Sequence, residues 1–199
     1  MEKAVADPHL TSNLPLQHAQ NGEGPLYHRA YKLEFNSNAA SQKSIFVTLS
    51  TNLDRSSSSF LARFFKTRGS PFELKLGHEY MIRINGPWDG PVRVTELTEN
   101  SFTFQTLEGH LEAGKIKFSI HEKSPGCFYL LIESLARSRD QFISFFYDKV
   151  PLVRFAQTQM WTRFCKNFVK DVLKDAKICS KVTIQTEKKD SFDDHWIEV

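Results

Sequence analysis

The sequence predicts an α+β fold of the helix-grip type, a curved antiparallel sheet wrapped around one long C-terminal helix. Three observations carry that prediction. Residues 150–176 show an apolar stripe with the period of an α-helix. Five stretches between residues 80 and 132 alternate with the period of a half-covered strand. The links between those strands are short, as antiparallel neighbours require. The segregation of helices from sheet along the chain is what layer packing of this class demands.

The long helix is the most explicit element. Val153, Ala156, Met160, Trp161, Phe164, Cys165, Phe168, Val169, Val172, Leu173 and Ala176 fall along one stripe. Lys166, Asn167, Lys170, Asp171, Lys174 and Asp175 fall on the other side. Pro151 suits the first helical position, where a missing N–H costs nothing. At 1.5 Å per residue the helix would extend about 40 Å. An apolar face of that length, set with aromatic rings, needs a broad apolar surface to lie on.

The sheet supplies it. Tyr27, Arg29, Tyr31, Leu33 and Phe35 alternate as a first strand. Two short helices are expected next, one over residues 39–52 carrying Ile45, Phe46 and Leu49, and one over residues 57–66 carrying Phe60, Leu61, Phe64 and Phe65. The serines at 56–59 offer N-cap hydroxyls, and Gly69, Ser70 and Pro71 end the segment. The inward sets that follow are Tyr80, Ile82 and Ile84; Val92 and Val94; Phe102, Phe104 and Thr106; Ile116, Phe118 and Ile120; and Phe128, Leu130 and Ile132. Turns fall at residues 85–87, 99–100 and 124–126. Ser138 and Gln141 form an S-x-x-Q capping box that opens a helix burying Phe142, Phe145 and Phe146 before Pro151. Residues 181–186 alternate as an edge strand. The expected organisation is a flexible leader over 1–26, one domain over 27–177 and a C-terminal strand or tail over 178–199.

Composition narrows the function classes. The chain has 199 residues, 40% hydrophobic, with 17 Phe, enough for one domain with a sizeable core. A net charge of +3, from 26 Lys and Arg against 23 Asp and Glu, is too small to imply nucleic acid. Cys127, Cys165 and Cys179 have no metal-ligand spacing, and their odd number argues against a disulfide framework, which fits a reducing compartment. No signal-peptide pattern and no apolar run of about 20 residues is present, so a soluble, cytoplasmic protein without a membrane span is expected. The sequence calls for no cofactor and no metal. It leaves the oligomeric state open.

Three segments carry candidate chemistry. In the loop over residues 106–114, Glu108, His110 and Glu112 share a side if the chain is extended, where they would serve as acid and base or converge on a metal. The competing reading is a solvated hairpin. At residues 133–140, Arg137 or Arg139 would clamp an anion beside a helix mouth, unless Glu133 and Asp140 pair with them internally. Gln157 lies one turn before Met160 and Trp161 on the side facing the sheet, and a buried amide needs a partner, from the sheet or from a ligand. Trp88, in the loop over residues 86–91, would cap one end of the same interior or pack on its own loop. No Ser or Cys stands in a nucleophile elbow.

The stretches over residues 86–94 and 101–110, with Glu112-Ala113-Gly114, Ala136-Arg137-Ser138, Gln157 and Met160-Trp161, resemble a START-like (SRPBCC) family catalogued as a domain of unknown function. The resemblance covers about residues 27–176, and its specific pieces are T-L-x-G-H at 106–110 and A-R-S at 136–138. It implies the helix-grip fold of the START and birch-pollen-allergen superfamily, whose members mostly hold lipids or other apolar small molecules, with a minority of cyclases and hydrolases. It assigns no catalyst here.

The expected function is therefore binding of an apolar small molecule or lipid, with an anionic head group as an option, between sheet and helix. Phe102, Phe104, Phe118, Phe128, Trp161 and Phe164 would line the space under Trp88. Arg137, His110 and Gln157 would fix the polar end. The alternatives are a hydrolase- or cyclase-like enzyme using Glu108, His110 and Glu112 beside the same space, and a solid interaction domain in which the 17 Phe simply fill that space.

Overall fold

The computed structural model describes residues 12–38, 40–57, 62–84, 89–140, 151–173, 175–192 and 195–199. Strand β1 (Glu23–Asn36) is followed by helices α1 (Gln42–Thr51) and α2 (Leu53–Ser56). Strands β2 (Ala62–Arg68), β3 (Glu79–Ile84), β4 (Asp89–Leu97), β5 (Ser101–Thr106), β6 (Glu112–Ser124) and β7 (Cys127–Ser138) come next. Helix α3 (Pro151–Asn167) precedes three short strands, β8 (Lys177–Ile178), β9 (Thr183–Lys189) and β10 (Ile197–Glu198). All strands join one antiparallel sheet in the order β10-β9-β1-β7-β6-β5-β4-β3-β2, with β8 also on β1.

Strand alternation sets which side chains face the helix. Leu33 and Phe35 on β1, Phe128 and Leu130 on β7, Phe118 and Ile120 on β6, and Phe102 and Phe104 on β5 are all buried, while the intervening Lys115 and Lys117 are exposed. α3 closes onto this face with Met160, Trp161, Phe164 and Cys165. The rings meet one another directly. Phe102 stacks on Phe118 at 4.8 Å between centroids, and Phe118 meets both Trp161 and Phe164 at 5.6 Å. Helices α1 and α2 cover one end of the same core with Ile45, Phe46, Leu49 and Leu53. Ser41 caps α1 by accepting a hydrogen bond from the Ser44 N–H.

Several sequence expectations are corrected. The helix expected over 57–66 is instead, from Ala62 on, strand β2 paired with β3; residues 58–61 lie outside the described residues. Ala62 and Phe64 also fit a period of two, and pairing with the exposed backbone edge of β3 outweighs a short helical pattern. The long helix is α-helical only to Asn167. Over Phe168–Val172 it widens to a π-turn, closed by the Leu173 N–H donating to the Phe168 carbonyl at 3.0 Å. The extra residue in that turn lets two consecutive side chains, Phe168 and Val169, both enter the core. Ala156, assigned to the buried stripe, is exposed. The expected helix from the Ser138–Gln141 box falls on 141–150, outside the described residues; Ser138 itself ends β7.

The expected leader is also shorter. β1 begins at Glu23, and residues 12–22 already pack on the sheet, from Glu79 on β3 at Ser12 to β6 and β7 at Gly22. The Glu79 carboxylate accepts from the Ser12 N–H at 2.6 Å and from Arg93 at 2.8–2.9 Å, and Arg93 in turn donates to the Ser12 and Leu14 carbonyls. This strip covers Gln105, which donates to the Gln17 carbonyl, while Thr103, also buried, donates to Glu96; β5 is thus buried on both faces.

Phe118 sits at the centre of the aromatic cluster. Phe118→Ala is expected to cost about 3–5 kcal/mol in urea denaturation, whereas Lys117→Ala, one residue away on the outer face, should stay within about 0.5 kcal/mol.

Candidate functional site

The inner face is apolar except at one end. On β1 the inward phase runs Tyr27, Arg29, Tyr31, Leu33, Phe35, so a guanidinium enters where the pattern is otherwise aromatic or aliphatic. Ser134 on β7 stands directly opposite Arg29 in the pairing register, and Ile132 opposite Tyr31. Glu112, at the start of β6, has its carboxylate 3.8 Å from Arg29 Nη1. Gln157, in the part of α3 that crosses this end, donates from Nε2 to both Glu112 oxygens at 3.3–3.4 Å. Arg29 also lies over the Tyr27 ring at 4.6 Å, a cation–π contact.

Satisfaction of these groups is incomplete. Among the described residues, Arg29 Nη2, the Tyr31 hydroxyl, Ser134 Oγ and Gln157 Oε1 are buried without a hydrogen-bond partner, as are Trp161 Nε1 and Thr162 Oγ1 on α3. The Tyr31 hydroxyl lies near Thr158 but short of a hydrogen bond of ordinary length, and burial, the largest influence, raises its pKa, so it stays a donor. Leaving such a group unpaired in a dry interior costs about 1–3 kcal/mol. Several collected at one end of a core are therefore an arrangement that packing alone does not favour.

A backbone joint holds this end in place. Gly114, at φ +154°, sits where a Cβ would strike the Leu135 carbonyl and Ala136 of β7, so β6 and β7 approach closely only with glycine there. Its N–H donates to the Gln17 carbonyl, and its carbonyl accepts from the Gln105 amide and the Thr106 hydroxyl. The motif residues Thr106, His110, Gly114 and Ala136 thus converge on one junction between β5, β6, β7 and the N-terminal strip.

The sequence-predicted site residues fare differently. His110 is buried with its ring against Gly90, on the inward side of β4, and its Nδ1 accepts from the Glu112 N–H at 2.9 Å, leaving the proton on Nε2. Glu108 is exposed on the turn, so the three-residue convergence of Glu108, His110 and Glu112 does not form; only His110 and Glu112 are adjacent. Among the described residues no cluster of three His, Cys, Asp or Glu is placed to hold a metal. Arg137 alternates with the inward Ala136 and Ser138, points outward, donates to the Gly22 carbonyl and covers the Phe192 ring at 4.8 Å. Arg139 pairs with Asp140 at 2.9 Å, the internal partner weighed against an anion. Gln157 finds its partner in the sheet. Phe102, Phe104, Phe118, Phe128, Trp161 and Phe164 all face inward but largely touch one another. Trp88 lies outside the described residues. Cys165 is buried, and burial pushes its thiol up to about 12, so it is no nucleophile at neutral pH.

Arg29, Tyr31 and Ser134 carry no motif. Their signal in the sequence is phase: a charged or hydroxylated side chain at an inward position of an otherwise apolar strand.

An antiparallel sheet closed over a C-terminal helix, with two short helices after the first strand, defines the helix-grip class of the START and birch-pollen-allergen type. Within it, the chain belongs to the family described as domain of unknown function (DUF1990), whose model matches residues 62–167. None of the curated proteins matches the chain. Among solved structures, norcoclaurine synthase from Thalictrum flavum is similar with a TM-score of 0.54 at 11% identity, over 87% of this chain and 99% of that one. The same enzyme in complex with dopamine and hydroxybenzaldehyde gives 0.53 at 12%, over 75% and 87%. Ginseng major latex-like protein 151 from Panax ginseng gives 0.45 at 12%, over 72% and 97%. At these identities the likeness concerns the fold alone. No helix among the described residues is long and apolar enough to cross a membrane.

The buried imidazole gives a pH test of this geometry. Burial, the largest influence, holds His110 below its ordinary value, and His78 is depressed in the same way. The unfolded chain takes up a proton on each near pH 6.5, the folded chain only at lower pH. Stability therefore rises with pH in that interval and is lost as pH falls below about 6.5. The urea midpoint should drop between about pH 7 and about pH 5, and less steeply in His110→Gln. An NMR titration placing the folded His110 at or above its ordinary value would contradict the packing.

Proposed function

We propose that the protein binds an apolar small molecule or lipid whose polar end lies at the Arg29–Ser134–Gln157 end of the interior. The observation that carries this reading is the set of buried, unpartnered polar atoms on facing elements: Arg29 Nη2 and the Tyr31 hydroxyl on β1, Ser134 Oγ on β7 and Gln157 Oε1 on α3. A ligand atom accepting from them would recover hydrogen bonds that the empty protein forgoes. The apolar body would adjoin Phe118 and Trp161, whose rings pack against each other in the empty protein and would have to part to admit it. There burial contributes about 25 cal/mol per Å² of apolar surface removed from water, while the few polar groups set orientation.

A second reading is favoured by one contact. His110, kept neutral by burial and held in one tautomer by the Glu112 N–H, also lies within the electrostatic influence of the Glu112 carboxylate. That pair would serve as base and acid for a hydrolase- or cyclase-like reaction on the bound molecule. Its test is loss of turnover in Glu112→Gln while an uncharged ligand is still bound.

For the binding reading, native mass spectrometry and organic extraction of freshly purified protein should recover a bound small molecule. Protein that is consistently empty, with no affinity for fatty-acid or phospholipid probes, would refute it. Ser134→Ala and Tyr31→Phe each delete a buried hydroxyl that has no hydrogen-bond partner among the described residues. Both should leave the melting temperature unchanged or higher, while weakening ligand binding by about 1 kcal/mol. A purely structural role gives the opposite pattern, lower stability and unchanged binding.

A further inference from the structure

We infer that the polar end of the bound molecule is an uncharged hydrogen-bond acceptor, the carbonyl of a ketone, ester or amide, and not a carboxylate or phosphate. The inference rests on the binding reading above and narrows its ligand. The inward cation is not an open countercharge. Arg29 and Glu112 face each other at 3.8 Å with side chains 6% and 16% exposed, and Gln157 ties the carboxylate to the helix. A second anion brought against Arg29 would enter the field of Glu112 where little water screens it, and like charges in such a setting repel strongly. The arginine that the sequence offered to an anion, Arg137, lies on the outer face and covers Phe192.

The unpartnered atoms also have a direction. Arg29 Nη2 can only donate. The Tyr31 and Ser134 hydroxyls are free to donate, and burial keeps the phenol protonated. Against these stands one acceptor, Gln157 Oε1. Arg29 and Ser134 are opposite one another on β1 and β7, so both stand on the inner face at the same level of the sheet. A carbonyl oxygen with two lone pairs satisfies both without adding charge, and the N–H of an amide would also engage Gln157 Oε1. A hydrocarbon head would leave the donors unpaired.

The test compares head groups on one chain. Displacement of a fluorescent apolar dye from the purified full-length protein is measured at about pH 7.5 with dodecanoic acid, methyl dodecanoate and dodecanamide. The amide and ester should bind about tenfold or more tighter than the acid. Lowering the pH to about 6 should strengthen binding of the acid, as its neutral form becomes available, and leave the amide unchanged. In Glu112→Gln the preference should invert, the acid gaining about tenfold as Arg29 loses its partner charge. Where that variant fails to fold, the pH series on the unaltered protein decides alone. An acid that binds wild-type protein as tightly as the amide, with no gain at lower pH, overturns the inference and leaves the binding reading standing. Failure of all three compounds to displace the dye, with extracted protein empty, overturns both.

Discussion

One straight helix has to cover the concave side of a sheet that bends away from it, and the whole interior follows from how that mismatch is filled. Where the surfaces are closest, the filler is a continuous aromatic cluster in which Phe102, Phe118, Trp161 and Phe164 touch edge to face or stacked. Rings suit the task, because each brings a large apolar area with few rotatable bonds. Toward the start of α3 the apolar filling gives way. Phe155 is largely exposed there, and the inward positions opposite carry Arg29, Glu112 and Ser134. The interior thus has two ends of different chemistry, one solid and one polar with unmet hydrogen-bonding capacity.

That polar end runs against what stability alone would choose. Replacing a buried ion pair by apolar side chains of similar volume is often neutral or stabilising. The Arg29–Glu112 pair is held by Gln157 across to the helix and by the Gly114 joint beneath it, so the surrounding structure fixes its geometry closely. Groups fixed in this way without full hydrogen bonding are characteristic of sites that complete themselves with something else.

Much of the fold was legible because its periods are strong. The inward sets of β3 to β7 were read from alternation, and the pairing of Phe118 with Ile132 and Phe102 follows from that phase. The stretch around Phe64 was misread because a short segment with apolar residues at two spacings fits either element, and only pairing with β3 decides. The π-turn at Phe168 left no trace, since its cause is the need of two adjacent residues for the same core. Of the site, Gln157 and Glu112 are visible from spacing, but their partner Arg29 shows in the sequence only as one more position of an alternating strand. Arg137 carries the A-R-S motif, but its phase on β7 puts it on the opposite face from Ser134 and Ser138.

The strand order bears on what counts as a unit. β1 is central, with β7 on one side and β9 on the other, and it brings Arg29 and Tyr31 to the inner face. The region shared with the family model starts at Ala62 and ends at Asn167. A fragment cut to those limits would leave β7 with a bare hydrogen-bonding edge, open to pairing with another chain, and Glu112 without its arginine. The stretch by which relatives are recognised is smaller than the stretch that must fold together.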